Sequence, residues 1–214
     1  MKSRNERHNK QNISYRLYLV SDEGVLGGRD FLKSLEAAIL GGITVLQLRH
    51  KEGSSQAFYH RALKVKKLTE YYGVPLIIND RVDIALAVNA EGVHLGQQDL
   101  PVTVARRLLG PDKIIGASTA TVQEAKEAEA EGADYIGVGA LFPTATKNNT
   151  RSVSLERLRI IKNSLCIPVV GIGGLTKENI PSVLNTGVDG VAVVSAILAQ
   201  EDIQQAAKDL TKIH

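Results

Sequence analysis

IPVVGIGGLTKENIPSVLNTGVDGVAVVS, residues 167–195, reads as a strand, a helix and a second strand. Two runs dominated by Val and Ile (167–173 and 190–195) flank a polar stretch (176–189) that opens at Thr176, with Asn179 three residues on, and stops at Gly187. A side-chain acceptor at the start and a glycine at the end are helix boundary signals. The apolar runs are continuous rather than alternating, which suits strands covered on both faces, as in a parallel sheet.

Working outward, the same unit recurs along the chain. Further apolar runs are RLYLVS (16–21), TVLQLR (44–49), PLIIN (75–79), GVHLG (92–96), KIIGAS (113–118) and DYIGVG (134–139), which makes eight with the two already quoted. Between them, DFLKSLEAAILGG (30–42) puts Phe31, Leu35, Ala38 and Ile39 on one helical face, and TVQEAKEAEAEGAD (121–134) opens with the capping-box pair Thr121 and Glu124. Two of the helices run into the next strand through Gly-x-Asp (Gly132 and Asp134; Gly187 and Asp189), a local repeat of the strand–helix unit. Eight such units in about 200 residues can close into a barrel. A doubly wound open sheet is the rival, but equal units with no second domain favour closure. The expectation is a single-domain α/β protein, a (β/α)8 TIM barrel over 15–214, behind a flexible polar tail at 1–14.

Composition narrows the function. The formal charge of +3 is accounted for by Lys2, Arg4, Arg7 and Lys10 against Glu6, so the body of the chain is neutral overall. Aromatics are 4% and Trp is absent, so the basic, aromatic-rich footprint of a nucleic-acid binder is missing. A lone cysteine, Cys166, excludes an internal disulfide framework; within LCIPVVG it reads as a small buried hydrophobe. The first residues lack the apolar core of a signal peptide, and no apolar run is long enough to span a bilayer, so the cytoplasm is expected.

In such barrels chemistry collects at the C-terminal ends of the strands, and that is where this chain keeps its out-of-place polar residues. In QLRHK (47–51), Gln47, Arg49 and Lys51 share one face of an extended chain, while Leu46 and Leu48 point into the helix layer. Two cations and an amide suit a polyanion; the bland alternative is an Arg paired with a strand-end carboxylate. After the third run come Asn79 and Asp80, and after the fourth Asp99. Each Asp reads either as a helix cap (with Asp83 an acid of the first turn and Pro101 a helix start) or as a ligand to Mg²⁺, which favours few carboxylates plus substrate phosphates. His94, inside a run, reads as a hydrogen-bonded core histidine, and Ser118 ends the fifth run. The loop LFPTATKNNTRS (141–152) is long and polar, with Thr144, Thr146 and Lys147 placed to reach phosphate or a flat ring. GIGG (171–174) and VVSA (193–196) follow the last two runs, where these barrels often bind phosphate on exposed backbone N–H groups. Two anion centres suit two phosphorylated substrates.

These segments, together with GRD (28–30), NDRVDIA (79–85), GVHLGQQD (92–99) and DYIGVGALFPTATK (134–147), resemble thiamine phosphate synthases from about Arg16 to the last helix. The resemblance implies a transferase that condenses hydroxymethylpyrimidine diphosphate with a thiazole phosphate (or its carboxylated tautomer), releasing pyrophosphate. It implies that Gln47, Arg49, Lys51, Asn79, Ser118 and Lys147 hold the pyrimidine diphosphate, with Arg49, Lys51, Lys147 and Ser118 serving catalysis. Thr144, Thr146, Gly174, Val194 and Ser195 would surround the thiazole phosphate, and Asp80 and Asp99 would hold Mg²⁺. The implied partners are small phosphorylated molecules, with an oligomer of identical chains left open. His50 and Asn149 depart from the family pattern, which often has acids there. The residues lack an obvious nucleophile–base pair, consistent with a dissociative reaction. A thiazole phosphate tautomerase of similar fold is the alternative, yet it needs no grip on a diphosphate.

Overall fold

The computed structural model describes residues 10–50, 53–144 and 151–213. Its strands are β1 (Leu17–Val20), β2 (Val45–Leu48), β3 (Leu76–Asn79), β4 (Gly92–Leu95), β5 (Ile114–Thr119), β6 (Tyr135–Val138), β7 (Val169–Ile172) and β8 (Gly190–Val193). Each pairs in parallel with the next and β8 returns to β1, so the sheet closes as a barrel. The helices are α1 (Phe31–Leu40), α2 (Ser55–Tyr72), α3 (Val82–Ala87), α4 (Val102–Leu109), α5 (Val122–Ala130), α6 (Leu155–Asn163), α7 (Ile180–Leu184), α8 (Ser195–Leu198) and α9 (Ile203–Thr211). This is the expected TIM barrel.

Alternation along each strand sorts its residues into two cores. Leu46, Leu48, Ile78, Val93, Ile115 and Val191 face outward and pack with the helices. Tyr18, Val45, Ile77, Ile114, Tyr135 and Val170 fill the interior. Burying a Leu of the outer layer contributes roughly 1.5–3 kcal/mol. Gly116 makes room inside: a Cβ there would stand 2.1 Å from the Tyr135 ring.

The residue preceding each even-numbered strand clasps the strand before it at the bottom rim. Thr44 Oγ1 accepts the Leu17 N–H at 3.1 Å, Glu91 Oε2 the Leu76 N–H at 2.9 Å, Asp134 Oδ2 the Ile115 N–H at 2.8 Å, and Asp189 Oδ2 the Val169 N–H at 2.7 Å. The acids among them also meet cations: Lys66 on Glu91, Arg106 and Lys10 on Asp134, Lys162 on Asp189. The Gly-x-Asp repeat is thus a joint between β/α units. Lys10, in a 3-10 turn at residues 10–12, reaches Asp134 at 3.1 Å; residues 1–9 of the expected tail lie outside the described residues.

The other expectations divide. The capping box of α5 forms with both hydrogen bonds, and α1 is capped by Asp30. The helix expected from Thr176 shrinks to α7: the Thr176 N–H donates to Asn179 Oδ1 at 2.8 Å, making a turn, and Pro181 stands at the helix start. Cys166 is exposed, not buried, because β7 begins only at Val169 and the turn before it lies on the surface, its Cys166 N–H donating to Glu129. Neither Asp80 nor Asp99 caps a helix; Arg81 and Pro101 occupy those positions, without side-chain caps. Asp83 does lie in the first turn of α3. No described helix is long and apolar enough to cross a membrane.

Candidate active site at the C-terminal rim

At the end of β2, Gln47 is buried and its Nε2 donates to the Tyr18 hydroxyl at 2.9 Å. Two residues on, the Arg49 N–H donates to Ser21 Oγ, and its guanidinium pairs with Asp22 Oδ2 at 3.0 Å. The plain structural role considered for Arg49, a pair with a strand-end carboxylate, is therefore real. It also holds the cation at the mouth rather than letting it sweep solvent. Ser21 and Asp22 were overlooked as supports, although LYLVSD (17–22) ends a strand, as the other site residues do.

β3 and β4 meet through Asn79 paired with His94. Asp80, just beyond, has φ +64, a left-handed conformation rare outside glycine, asparagine and aspartate. Its N–H donates to His94 O at 2.8 Å and the next N–H, of Arg81, returns to Asn79 O at 2.8 Å. That is a γ-turn with positive φ at its centre, the strained form, and such backbone clusters at functional sites. Arg81 in turn binds Asp83, whose carboxyl that contact holds below the usual Asp range. Asp99 closes the next loop, its Oδ2 accepting the Gly96 N–H at 2.7 Å. A cleft of about 330 Å³ opens between the ends of β2 and β3, lined by Arg49, Asn79, Asp80 and Arg81, with His50 and Phe58 on the helix side. His50 packs on the Phe58 ring, facing outward as strand parity requires, and burial lowers its pKa.

Opposite the cleft, the β6 loop leans on β7. The Leu141 and Phe142 N–H groups donate to Ile172 O and Gly173 O, while Ala140 pairs with Arg151 and Val153 to close the loop base. Gly173 and Gly174 both have positive φ, and a Cβ on Gly174 would stand 2.4 Å from Pro143 O. The glycines therefore admit the neighbouring loop, a packing role beyond the phosphate binding expected of GIGG. Val194 and Ser195 form the start of α8 beside them, and Thr144 lies half-buried at the loop's near end. Lys51, Thr146, Lys147 and Asn149 lie outside the described residues.

Beneath the rim runs a polar chain that only the fold could assemble, buried at Gln47, Tyr18 and Tyr135 and half-buried at His94 and Ser118. Tyr18 and Tyr135 join hydroxyls at 2.7 Å; Tyr135 meets His94 Nδ1 at 2.9 Å; His94 Nε2 meets Ser118 Oγ at 2.8 Å. Burial pushes both phenols up, so they remain protonated. His94 is the hydrogen-bonded interior histidine expected.

A family model described as thiamine monophosphate synthase matches residues 17–197. This chain belongs to that family. It is 62% identical over 198 residues to a thiamine-phosphate synthase of Alkaliphilus oremlandii, covering 92% of this chain and 95% of the relative. It is 57% identical to one from Clostridium acetobutylicum, at 92% and 94% coverage. A solved thiamine phosphate pyrophosphorylase from Pyrococcus furiosus is 42% identical, with a TM-score of 0.86 over 94% of this chain and 96% of that one. Thiamine-phosphate synthase activity, a transferase reaction of thiamine biosynthesis, goes with this membership.

Proposed function

We propose that the rim binds a hydroxymethylpyrimidine diphosphate in the cleft at the ends of β2 and β3 and a thiazole phosphate between β6 and β8, and joins them dissociatively. The observation that carries this reading is the convergence of Arg49, Asn79 and Asp80 on one cleft, across the rim from the glycine-rich end of β7. Arg49, Lys51 and Lys147 hold the diphosphate. The C–O bond at the pyrimidine methylene breaks, and its electron pair leaves with pyrophosphate. The aminopyrimidine delocalises the cation, with Gln47, Asn79 and Ser118 orienting the ring. The thiazole nitrogen then donates its lone pair to form the new C–N bond, so no general base is required. Thr144, Thr146, Gly174, Val194 and Ser195 orient the thiazole phosphate.

Asp80 and Asp99 fit Mg²⁺. They are hard carboxylate ligands on adjacent loops, and among the described residues no group of three or more ligating side chains builds a dedicated cage. That suits an ion completed by substrate oxygens. When bound, the ion would offset the charge developing on the leaving diphosphate. The substrates are small polar metabolites, so we place the reaction in the cytoplasm.

Incubating the purified chain with both phosphorylated substrates and Mg²⁺ should release one pyrophosphate per coupled product identified by mass. Isomerisation of the thiazole phosphate without pyrophosphate would instead establish a tautomerase.

A further inference from the structure

Five side chains from five strands form one hydrogen-bonded line across the barrel: Gln47, Tyr18, Tyr135, His94 and Ser118, with links of 2.9, 2.7, 2.9 and 2.8 Å. Its two ends are residues assigned above to the pyrimidine. Its middle touches no substrate in that reading.

The line has a direction. The Gln47 amide nitrogen can only donate, so the Tyr18 oxygen accepts. Tyr18 is 1% exposed, and among the described residues Tyr135 is the acceptor within reach of its proton. If Tyr135 donated instead, the Tyr18 proton would be stranded in the interior, a costly arrangement. Tyr18 therefore donates to Tyr135, and by the same argument Tyr135, also 1% exposed, donates to His94 Nδ1. His94 must then carry its proton on Nε2 and donate to Ser118 Oγ. Ser118 is left to donate its own proton onward. One end presents an acceptor, Gln47 Oε1, and the other a donor, the Ser118 hydroxyl. Space for the line is built in: a Cβ on Gly116 would collide with Tyr135, and one on Gly137 would stand 3.1 Å from the His94 ring.

We infer that Tyr18, Tyr135 and His94 are positioning residues whose one-way hydrogen-bond line sets the donor and acceptor character of Gln47 and Ser118, selecting an aminopyrimidine over its oxo counterpart. This rests on the assignment of Gln47 and Ser118 to the pyrimidine. An amino group gives a donor to Gln47, and the ring nitrogen beside it, N3, accepts from Ser118. The 4-oxo analogue carries a carbonyl and a ring N–H, the reverse pattern, and meets like against like at both ends. Cutting the line would let both ends rotate and accept either pattern.

The test compares kcat/KM for the 4-amino and 4-oxo pyrimidine diphosphates at saturating thiazole phosphate. The wild type should prefer the amino substrate on the order of 10⁴-fold, as sites built to pair a specific polar group do. Tyr135→Phe keeps the ring but removes the central hydroxyl, and the preference should fall by about tenfold or more. Tyr18→Phe cuts the line one link earlier and should do the same, which guards against one variant failing to fold. A loss of packing would lower both substrates together and leave the ratio unchanged; an unchanged ratio in both variants overturns the inference. Nitrogen-15 spectra of histidine-labelled, substrate-free protein give a readout independent of turnover: His94 should be the Nε2–H tautomer, and the Nδ1–H tautomer would refute the direction. A wild type that turns over neither pyrimidine, yet shows the Nε2–H tautomer, would overturn the substrate assignment and with it the selection of an aminopyrimidine, while the direction of the line would stand.

Discussion

Gly174→Ala offers a quantitative link between backbone shape and one substrate site. Two costs arise. At φ +64 an L-residue pays roughly 1–2 kcal/mol. The new Cβ would also stand 2.4 Å from Pro143 O and 2.7 Å from Phe142 O, both backbone atoms that cannot rotate aside. To restore even 3.0 Å from 2.4 Å, one loop must retreat by about 0.6 Å. Since a misplacement of about 1 Å can cost about 10²-fold in rate, kcat/KM for thiazole phosphate should fall about 10–100-fold. KM for the pyrimidine diphosphate, which the proposed function places across the rim, should change less than about twofold on the same argument. Gly187→Ala is the matched control: φ is +89, yet nothing lies within 4 Å of the added Cβ. It should carry the conformational cost alone, lowering the melting temperature by about 2–8 °C with unchanged kinetics. Steady-state kinetics with each substrate varied in turn, beside thermal melts of both variants, decides the matter. If Gly174→Ala raises KM for the pyrimidine while sparing the thiazole, the two pockets have been exchanged and the reasoning is refuted.

Asp134→Ala removes a charge-assisted clasp at the bottom rim and should cost about 1.5–3 kcal/mol in denaturant titrations, with kcat/KM retained; lost activity in a folded variant would contradict a purely structural role. Asp80→Ala and Asp99→Ala should each abolish the response of turnover to Mg²⁺ while costing only about 0.5–2 kcal/mol of stability, from the left-handed backbone at residue 80 and from the lost Gly96 hydrogen bond at residue 99; wild-type metal response in both would remove them as ligands. The Asp83 carboxyl is held low by its hydrogen bond to Arg81, so the pair's small stabilisation is present above the unfolded Asp pKa and lost as pH falls through the folded one. Arg81→Ala should move the Asp83 titration upward in an NMR pH series; an unmoved midpoint would sink the pairing.

The chain's local chemistry was enough to determine the repeat and the rim. Continuous Val and Ile runs can only be covered on both faces, and eight of them, joined by helical segments, leave few architectures. The polar residues at their ends were legible because charges and amides do not belong in such runs. What sequence misjudged were outcomes of competition between neighbours close in space. Asp80 and Asp99 have the composition of caps, yet Asp80 is drawn into a strained turn by His94 O and Asp99 by the Gly96 N–H. Cys166 looked internal because it adjoins an apolar run, but the strand begins three residues later. Gly174 looked like an anion cradle because nothing in the sequence says that Pro143 stands against it. The interior line from Gln47 to Ser118 was the least visible of all. Its members come from β1, β2, β4, β5 and β6, and no spacing along the chain relates them. Their partnership exists only because closing the barrel points them at one another in its interior, where leaving a polar hydrogen unpaired is costly.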